Sequence, residues 1–91
     1  MIARIAYFDD FDLTGRDWVL DALADAEGFH GAYHLYDETT GGSISVSFWD
    51  DEASQAAGQQ RVAAASQAGG HTGPGPSRVA FLRVLRATIG A

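Results

Sequence analysis

The sequence predicts an α+β fold with six elements in the order β-α-β-β-α-β. Residues 28–52 alternate between polar and apolar side chains on either side of a Gly-containing turn, which is typical of a β-hairpin. Apolar residues at helical spacing come before this hairpin, and an alanine-rich stretch with helix boundary signals follows it. We therefore expect each hairpin strand to be joined through a helix to one further strand.

The N-terminal part predicts a strand followed by a helix. Residues 2–8 are rich in β-branched and aromatic side chains, and the acidic run 9–12 ends that strand. Thr14 is a good N-cap, with Asp17 three residues later in the arrangement of a capping box. The helix is predicted from residue 15 to about residue 26, and Gly28 is a natural stop.

The hairpin is predicted to join residues 29–36 to residues 43–49 through the turn 39–42. Two registers stay open: Tyr36 pairs with Ser45 and His34 with Ser47, or Tyr36 pairs with Ser47 and His34 with Trp49. In both registers the side chains sort into the same two faces. The apolar face has Phe29, Tyr33, Leu35, Ile44, Val46 and Phe48. The polar and aromatic face has His30, His34, Tyr36, Ser43, Ser45, Ser47 and Trp49.

The C-terminal part predicts a long helix and a last strand. Asp50 or Asp51 is the expected N-cap, and the helix is predicted to run to about residue 68 and to end at Gly69 and Gly70. Residues 69–77 form a Gly- and Pro-containing loop, and the last strand is predicted from residue 78 to about residue 88.

This element order favours a single ferredoxin-like domain over residues 1–91, with both helices on one face of an antiparallel sheet. The first and third strands are expected at the centre, parallel to each other. Neither sheet face is plainly polar, so the face without helices needs a cover. We predict a homodimer in which two sheets pack face to face.

Composition excludes several kinds of chemistry. The 91 residues contain no Cys, Lys or Asn, which excludes disulfides, thiolate sites, lysine Schiff bases and any role for an Asn amide. The net charge of −6 argues against nucleic acid as a partner. No apolar run reaches the ~20 residues of a membrane span, and no signal-peptide pattern opens the chain. We expect a cytoplasmic protein without membrane association.

Two acidic segments, residues 9–12 and 50–52, follow the first and third strands. If those strands are parallel, both segments lie at one end of the sheet, where a divalent cation could bind. Both segments also precede helices, whose N-termini favour carboxylates. Capping accounts for the acids, and we predict no metal site.

The second helix has almost bare side chains, with Val62 as its one large aliphatic residue. Either it packs very closely against the sheet, or it leaves a pocket over the face that bears His34, Tyr36 and Trp49. Both interpretations stay open.

The residues 27–31, with sequence Glu-Gly-Phe-His-Gly, and residues 48–53, with sequence Phe-Trp-Asp-Asp-Glu-Ala, resemble the antibiotic biosynthesis monooxygenase-like group of dimeric α/β barrels. The resemblance covers about residues 27–56. The group includes cofactor-free oxygenases that act on polyketide phenols, haem-degrading enzymes, and members without known activity. The resemblance implies the same fold and a small aromatic or hydrophobic ligand, with no cofactor.

The resemblance matches Trp49 to a Trp on the third strand that lines the pocket in members of that group. Haem-degrading members also use an Asn on the first strand, near Tyr7 here, and a His on the second helix. This chain has no Asn, and His71 lies beyond the end of that helix, which disfavours haem degradation. The phenol oxygenases need a Trp, a Tyr and an Arg. Trp49, Tyr36 and one of Arg78, Arg83 and Arg86 match that pattern.

Cofactor-free oxygenation requires the substrate to lose a proton and then to reduce oxygen, away from water. His34 is the predicted base, because an unperturbed imidazole titrates near neutrality. Tyr36 and Trp49 complete the predicted catalytic set, and the predicted ligand-binding residues are Tyr7, Ala57, Val62 and His71. His71 is expected either on a loop over the pocket or in solvent.

Two function classes therefore remain. One is a small monooxygenase or cyclase that tailors an aromatic polyketide-like substrate. The other is a non-catalytic barrel protein that binds a small hydrophobic ligand or only assembles.

Overall fold

The computed structural model describes residues 1–71 and 73–88. Thr72, within the predicted loop, and residues 89–91 lie outside the described residues. The elements are β1 (Ile2–Phe8), α1 (Asp17–Leu23), β2 (Phe29–Tyr36), β3 (Ser43–Trp49), α2 (Glu52–Gly69) and β4 (Arg78–Arg83). The predicted α+β class and the element order β-α-β-β-α-β are confirmed. No helix in the described part of the chain has the length and hydropathy needed to cross a membrane.

The four strands form one sheet in the order β2-β3-β1-β4, and every neighbouring pair is antiparallel. The prediction that the two central strands are parallel is therefore wrong. Ile2 pairs with Trp49 and Phe8 pairs with Ser43, so β1 and β3 run in opposite directions. As a consequence, the acidic segments 9–12 and 50–52 lie at opposite ends of the sheet. The shared acidic edge that a cation site would need does not form.

The register of the hairpin differs from both predicted registers. Tyr36 pairs with Ser43 and His34 pairs with Ser45. The turn is wider than predicted because Asp37 and Gly42 close it: the Asp37 N–H donates to the Gly42 carbonyl at 2.8 Å. The Asp37 carboxylate also accepts from the Thr39 N–H at 2.8 Å, which stabilises the wider loop.

A β-bulge at His30 changes one face assignment. Phe29 pairs with Trp49 but Gly31 pairs with Phe48, so His30 is the extra residue in β2. Gly31 has a φ of +145°, which side-chain-bearing residues rarely adopt. Phe29 was predicted on the face of Tyr33, and it lies instead beside Trp49, with ring centroids 5.0 Å apart. His30, predicted on the face of His34, has no partner in the register. The pairings leave the predicted faces of the remaining residues in β2 and β3 unchanged.

Both helices cover the same sheet face, as predicted. α1 is shorter than expected because the Asp12 carboxylate accepts from the Thr14 N–H and hydroxyl, at 2.8 and 2.6 Å. Thr14 therefore does not cap the helix, which begins at Asp17. α2 begins as predicted, since the Asp51 side chain accepts from the Ser54 N–H at 2.8 Å, and it ends at the left-handed Gly70. The Arg61 side chain joins the helices through the Ala22 carbonyl at 2.9 Å.

β4 is also shorter than expected, since it ends at Arg83 rather than near residue 88. Arg83 pairs with Ile2, and the last backbone hydrogen bond at this edge runs from the Val84 N–H to the Met1 carbonyl. Residues 84–88 are not in a strand. The buried core includes Ala6, Phe8 and Leu13, and Trp49 is the largest fully buried side chain among the described residues.

Candidate functional site between the helices and the sheet

A cavity of about 100 Å³ lies between the helix-bearing face of the sheet and the two helices. The sheet supplies its polar wall, from β1, β2 and β3, with the side chains of Arg4, His34, Ser45 and Ser47. The helices supply its apolar wall, with Val19, Leu20, Leu23 and Val62, and two amides from Gln55 and Gln59. Strand pairing accounts for this polar wall: Arg4 pairs with Ser47 and His34 pairs with Ser45, so alternation turns these side chains to the same face.

His34 is the titratable base of this cavity. The pKa of its imidazole is lowered from the ordinary value of 6.5, first because burial removes water from the charged form. Asp17 acts in the opposite direction and Arg16 in the same direction, both through charge. The neutral imidazole is therefore favoured, and it can accept a proton from a bound molecule.

Arg4 is the residue that sequence reasoning missed. It stands opposite Ser47 on β3 and opposite Phe81 on β4, which turns it towards the helices rather than the open face. Burial lowers the pKa of its guanidinium. A signal existed in the sequence: an arginine in a strand that is otherwise apolar. The signal could be used only once β1 had been paired with β3.

A more open groove of about 550 Å³ adjoins the cavity between α2 and β4. Arg4, Gln55 and Gln59 line both spaces, and Val79 and Phe81 give the groove an apolar wall. Gln55 is buried, whereas Phe81 is 55% exposed. A ligand too large for the cavity could thus extend past Arg4 into the groove.

Of the predicted site residues, the structure brings only His34 and Val62 to the cavity lining. Trp49 is 2% exposed and lies behind the lining, with its indole N–H donating to the Ser47 hydroxyl at 2.9 Å. Tyr36 is 52% exposed at the end of the hairpin, beside a separate shallow groove.

The remaining predicted residues lie elsewhere. Tyr7 belongs to the open sheet face, where the guanidinium of Arg78 sits 4.2 Å from its ring centroid. Ala57 is exposed and lines a groove beside Asp50 and Asp51, because Gly58 occupies the sheet-facing position next to it. His71 is exposed and stacks on Trp18, with ring centroids 4.2 Å apart.

The acidic residues form no ion-binding cluster in the described ranges 1–71 and 73–88: no three His, Cys, Asp or Glu side chains are grouped to hold a metal ion. Asp12, Asp37 and Asp51 instead accept hydrogen bonds from Thr14, Thr39 and Ser54, which lowers the pKa of each carboxyl. These contacts give the acids a local structural role at turns and at a helix start.

No protein-family model and no curated protein sequence matches this chain. Solved structures do match it over nearly the whole length. A mutant of MhuD with two manganese protoporphyrin IX molecules bound per active site is 17% identical, with a TM-score of 0.73, and the match covers 99% of this chain and 100% of that one.

Two further structures extend the likeness. One is described as a putative antibiotic biosynthesis monooxygenase from Chloroflexus aurantiacus, with 16% identity, a TM-score of 0.65 and 98% of each chain covered. The other is a monooxygenase from the gene ActVA-Orf6 of Streptomyces coelicolor in complex with Nanaomycin D. It is 12% identical, with a TM-score of 0.65, and the match covers 99% of this chain and 92% of that one. Identities this low show the fold alone, and the chain accordingly has the ferredoxin-like α+β fold of the antibiotic biosynthesis monooxygenase structures.

Proposed function

We propose that this protein is a small cofactor-independent monooxygenase, or a related tailoring enzyme, that acts on an aromatic polyketide-like substrate. The observation that carries the proposal is the placement of His34 in a cavity between helices and sheet, with its imidazole kept neutral by burial. A neutral imidazole next to an apolar wall suits proton removal from a phenol. The fold-level likeness to a monooxygenase in complex with Nanaomycin D supports the same class.

The proposed reaction converts a phenol to a quinone. The phenol gives its proton to His34, and the phenolate reduces dioxygen. One oxygen atom enters the ring and the other leaves as water, while the substrate itself supplies the two electrons and two hydrogens. No external reductant and no metal is needed, so His34 and the exclusion of water are the contributions of the protein.

The size of the cavity defines how a substrate would bind. Engineered cavities of about 150 Å³ hold benzene, and this cavity measures about 100 Å³. A fused-ring substrate therefore needs the adjoining groove as well, with one ring edge near His34 and the remainder along Val79 and Phe81.

We also propose that the protein works as a homodimer in the cytoplasm. The sheet face without helices exposes apolar side chains, among them Tyr33 at 65%, Leu35 at 49% and Leu82 at 53%. Exposed apolar surface of this kind marks an interaction site, and a second sheet of the same shape would bury it. Burial on that side would also help a chain of only 91 residues to reach a stable core.

A non-catalytic ligand-binding protein is the second candidate. The small cavity favours it, and so does the tight packing of Trp49, which is buried and does not line the cavity. Haem degradation is disfavoured: the chain has no Asn, and α2, described over its whole length, contains no His.

The test is oxygen transfer to naphthol- and anthrone-type phenols. We expect quinone formation with label from isotopically labelled dioxygen in the product, and loss of turnover in His34→Gln. Val62→Phe, which puts a ring into the cavity, should also abolish turnover. Ala57→Leu is the matched control, because Ala57 lies on the same helix outside the cavity. Binding of these phenols without any labelled product would favour the non-catalytic candidate.

A further inference from the structure

The cavity has a positive lining in a negatively charged protein. The chain has 12 acidic and six basic residues, for a net charge of −6. Yet the residues that line the cavity include Arg4 and Arg16 and no carboxylate, and the nearby Asp17 acts on His34 from outside the lining. The charge at this site therefore has the opposite sign to that of the whole molecule.

The two arginines differ in what they contact. Arg16 donates to the Pro74 carbonyl at 3.3 Å, and its guanidinium lies 4.8 Å from the ring centroid of Phe11. Arg4 is half-buried, and within residues 1–71 and 73–88 its guanidinium makes no side-chain hydrogen bond and no ion pair. Arg16 thus has a structural partner, whereas Arg4 lines both the cavity and the groove and brings a guanidinium group, which has five N–H donors, to their junction.

The guanidinium nitrogens of Arg4 keep contact with solvent, and an anion or the hydrogen-bond acceptors of a ligand can replace the water that burial removes. The neighbours of Arg4 at the junction are Ser47, Gln55 and Gln59, which can bind an oxygen atom but carry no negative charge. The lining therefore lacks a counter-ion for Arg4, and a ligand is its natural source. Arginine binds a carboxylate or phenolate oxygen through strong, charge-assisted hydrogen bonds.

From this geometry we propose that the site selects an aromatic ligand that carries an anionic oxygen, a carboxylate or a phenolate, and that Arg4 binds that oxygen at the junction of cavity and groove. The inference rests on the proposed function only in taking this cavity as the ligand site. Arg4 is then the residue that separates anionic from neutral aromatic ligands. The ring of the ligand lies either against Val62 in the cavity or against Phe81 in the groove.

The experiment compares benzoate with benzamide, which has the same shape without the charge. Titrations followed by NMR should show that the wild-type protein binds benzoate at least about tenfold more tightly, the size of one charge-assisted hydrogen bond. Arg4→Gln should remove this preference, and Arg4→Lys should keep part of it. Arg86→Gln is the control, because it removes the same charge at an exposed position that does not line the cavity.

A second pair of titrations distinguishes the two anion types. para-Nitrophenol is titrated into the wild type and into Arg4→Gln at a pH below its pKa and at a pH above it. Tighter Arg4-dependent binding of the phenolate than of benzoate assigns the site to phenolates, and the reverse order assigns it to carboxylates. Should Arg4→Gln fail to fold by circular dichroism, Arg4→Met, which keeps an apolar stem of similar length, replaces it.

Equal affinities for benzoate and benzamide, or a preference that survives in Arg4→Gln, would overturn the inference. The result is separable from the proposed oxygenase activity. An intact Arg4-dependent preference without any oxygen transfer contradicts the enzyme and leaves the anion site. Turnover of phenols that is unchanged in Arg4→Gln contradicts the anion site and leaves the enzyme.

Discussion

The indole of Trp49 packs directly beneath Gly58 of α2. A Cβ atom built at Gly58 would lie 2.7 Å from Cζ3 of the indole and 2.9 Å from Cζ2, and closer still to Cη2. Such distances are far inside van der Waals contact, so no side chain fits at residue 58 while Trp49 keeps its position. The glycine thereby sets how closely α2 approaches the sheet.

We expect Gly58→Ala to destabilise the protein by about 1–3 kcal/mol, because the added methyl group overpacks the core. In an unstrained helix the same change would stabilise by up to about 1 kcal/mol, so the sign of the effect is informative. Urea unfolding measures it. Gly75→Ala serves as the control, since a Cβ atom added at Gly75 would meet nothing within 4 Å. A Gly58→Ala protein as stable as the wild type would show that the helix can move away from Trp49.

Ser47→Ala should destabilise by about 1–3 kcal/mol, because it leaves the buried indole N–H of Trp49 without its acceptor. The matched variant is Ser45→Ala, two residues away on the same face of β3, where the side chain is only partly buried. The difference in the free energy of unfolding between these two variants isolates the Trp49 hydrogen bond. Equal losses in both would contradict the role assigned to Ser47.

His34 should make stability depend on pH. Its folded-state pKa lies below the ordinary 6.5, mainly because of burial, so folding favours the neutral form. The stabilisation is fully present above pH 6.5 and is lost as pH falls through the folded pKa, because the unfolded state then binds the proton more readily. In His34→Gln this part of the acid slope should disappear. The free energies of unfolding of both proteins across this range test it, and identical slopes would refute it.

Leu35→Glu should convert the proposed dimer to a monomer, because it puts a charge into the apolar open face of the sheet. Phe81→Glu is the control on the helix-bearing face, with a similar exposure of 55% against 49%. Light scattering coupled to size-exclusion chromatography gives the mass of each. A wild-type chain that is monomeric at micromolar concentration would remove the dimer altogether.

Local signals in the sequence predicted the elements of the fold well. The alternation in residues 43–49 and the acidic cap at Asp51 each specify one conformation through nearby atoms, and the structure has both. Strand direction was predicted wrongly, although the element order specifies it. The β2–β3 hairpin reverses the chain and the crossover through α1 leaves β1 parallel to β2, so β1 and β3 run in opposite directions. The bulge at His30 was not predicted, because polar and apolar residues alternate through this segment without interruption.

The residues that line the cavity were predicted in part. His34 lies in the cavity because alternation fixes its face. Ala57 does not line the cavity. The contact of Gly58 with the Trp49 indole fixes the rotation of α2 about its axis, and the sequence pattern of α2 alone does not reveal that contact. Arg4 was missed because its charge stands out only when the cavity lining is known. That lining comes from several strands and helices and contains no carboxylate.

The antiparallel arrangement of β1 and β3 separates the acidic segments 9–12 and 50–52 to opposite ends of the molecule. An anion that diffuses towards Arg4 then meets repulsion from either end before it reaches the attractive junction. Screening lengths are about 10 Å at 0.1 M salt, so added salt suppresses the distant repulsion more than the close contact with Arg4. If Arg4 binds anions as proposed, we expect added salt to raise the association rate of an anionic ligand and to weaken its bound state.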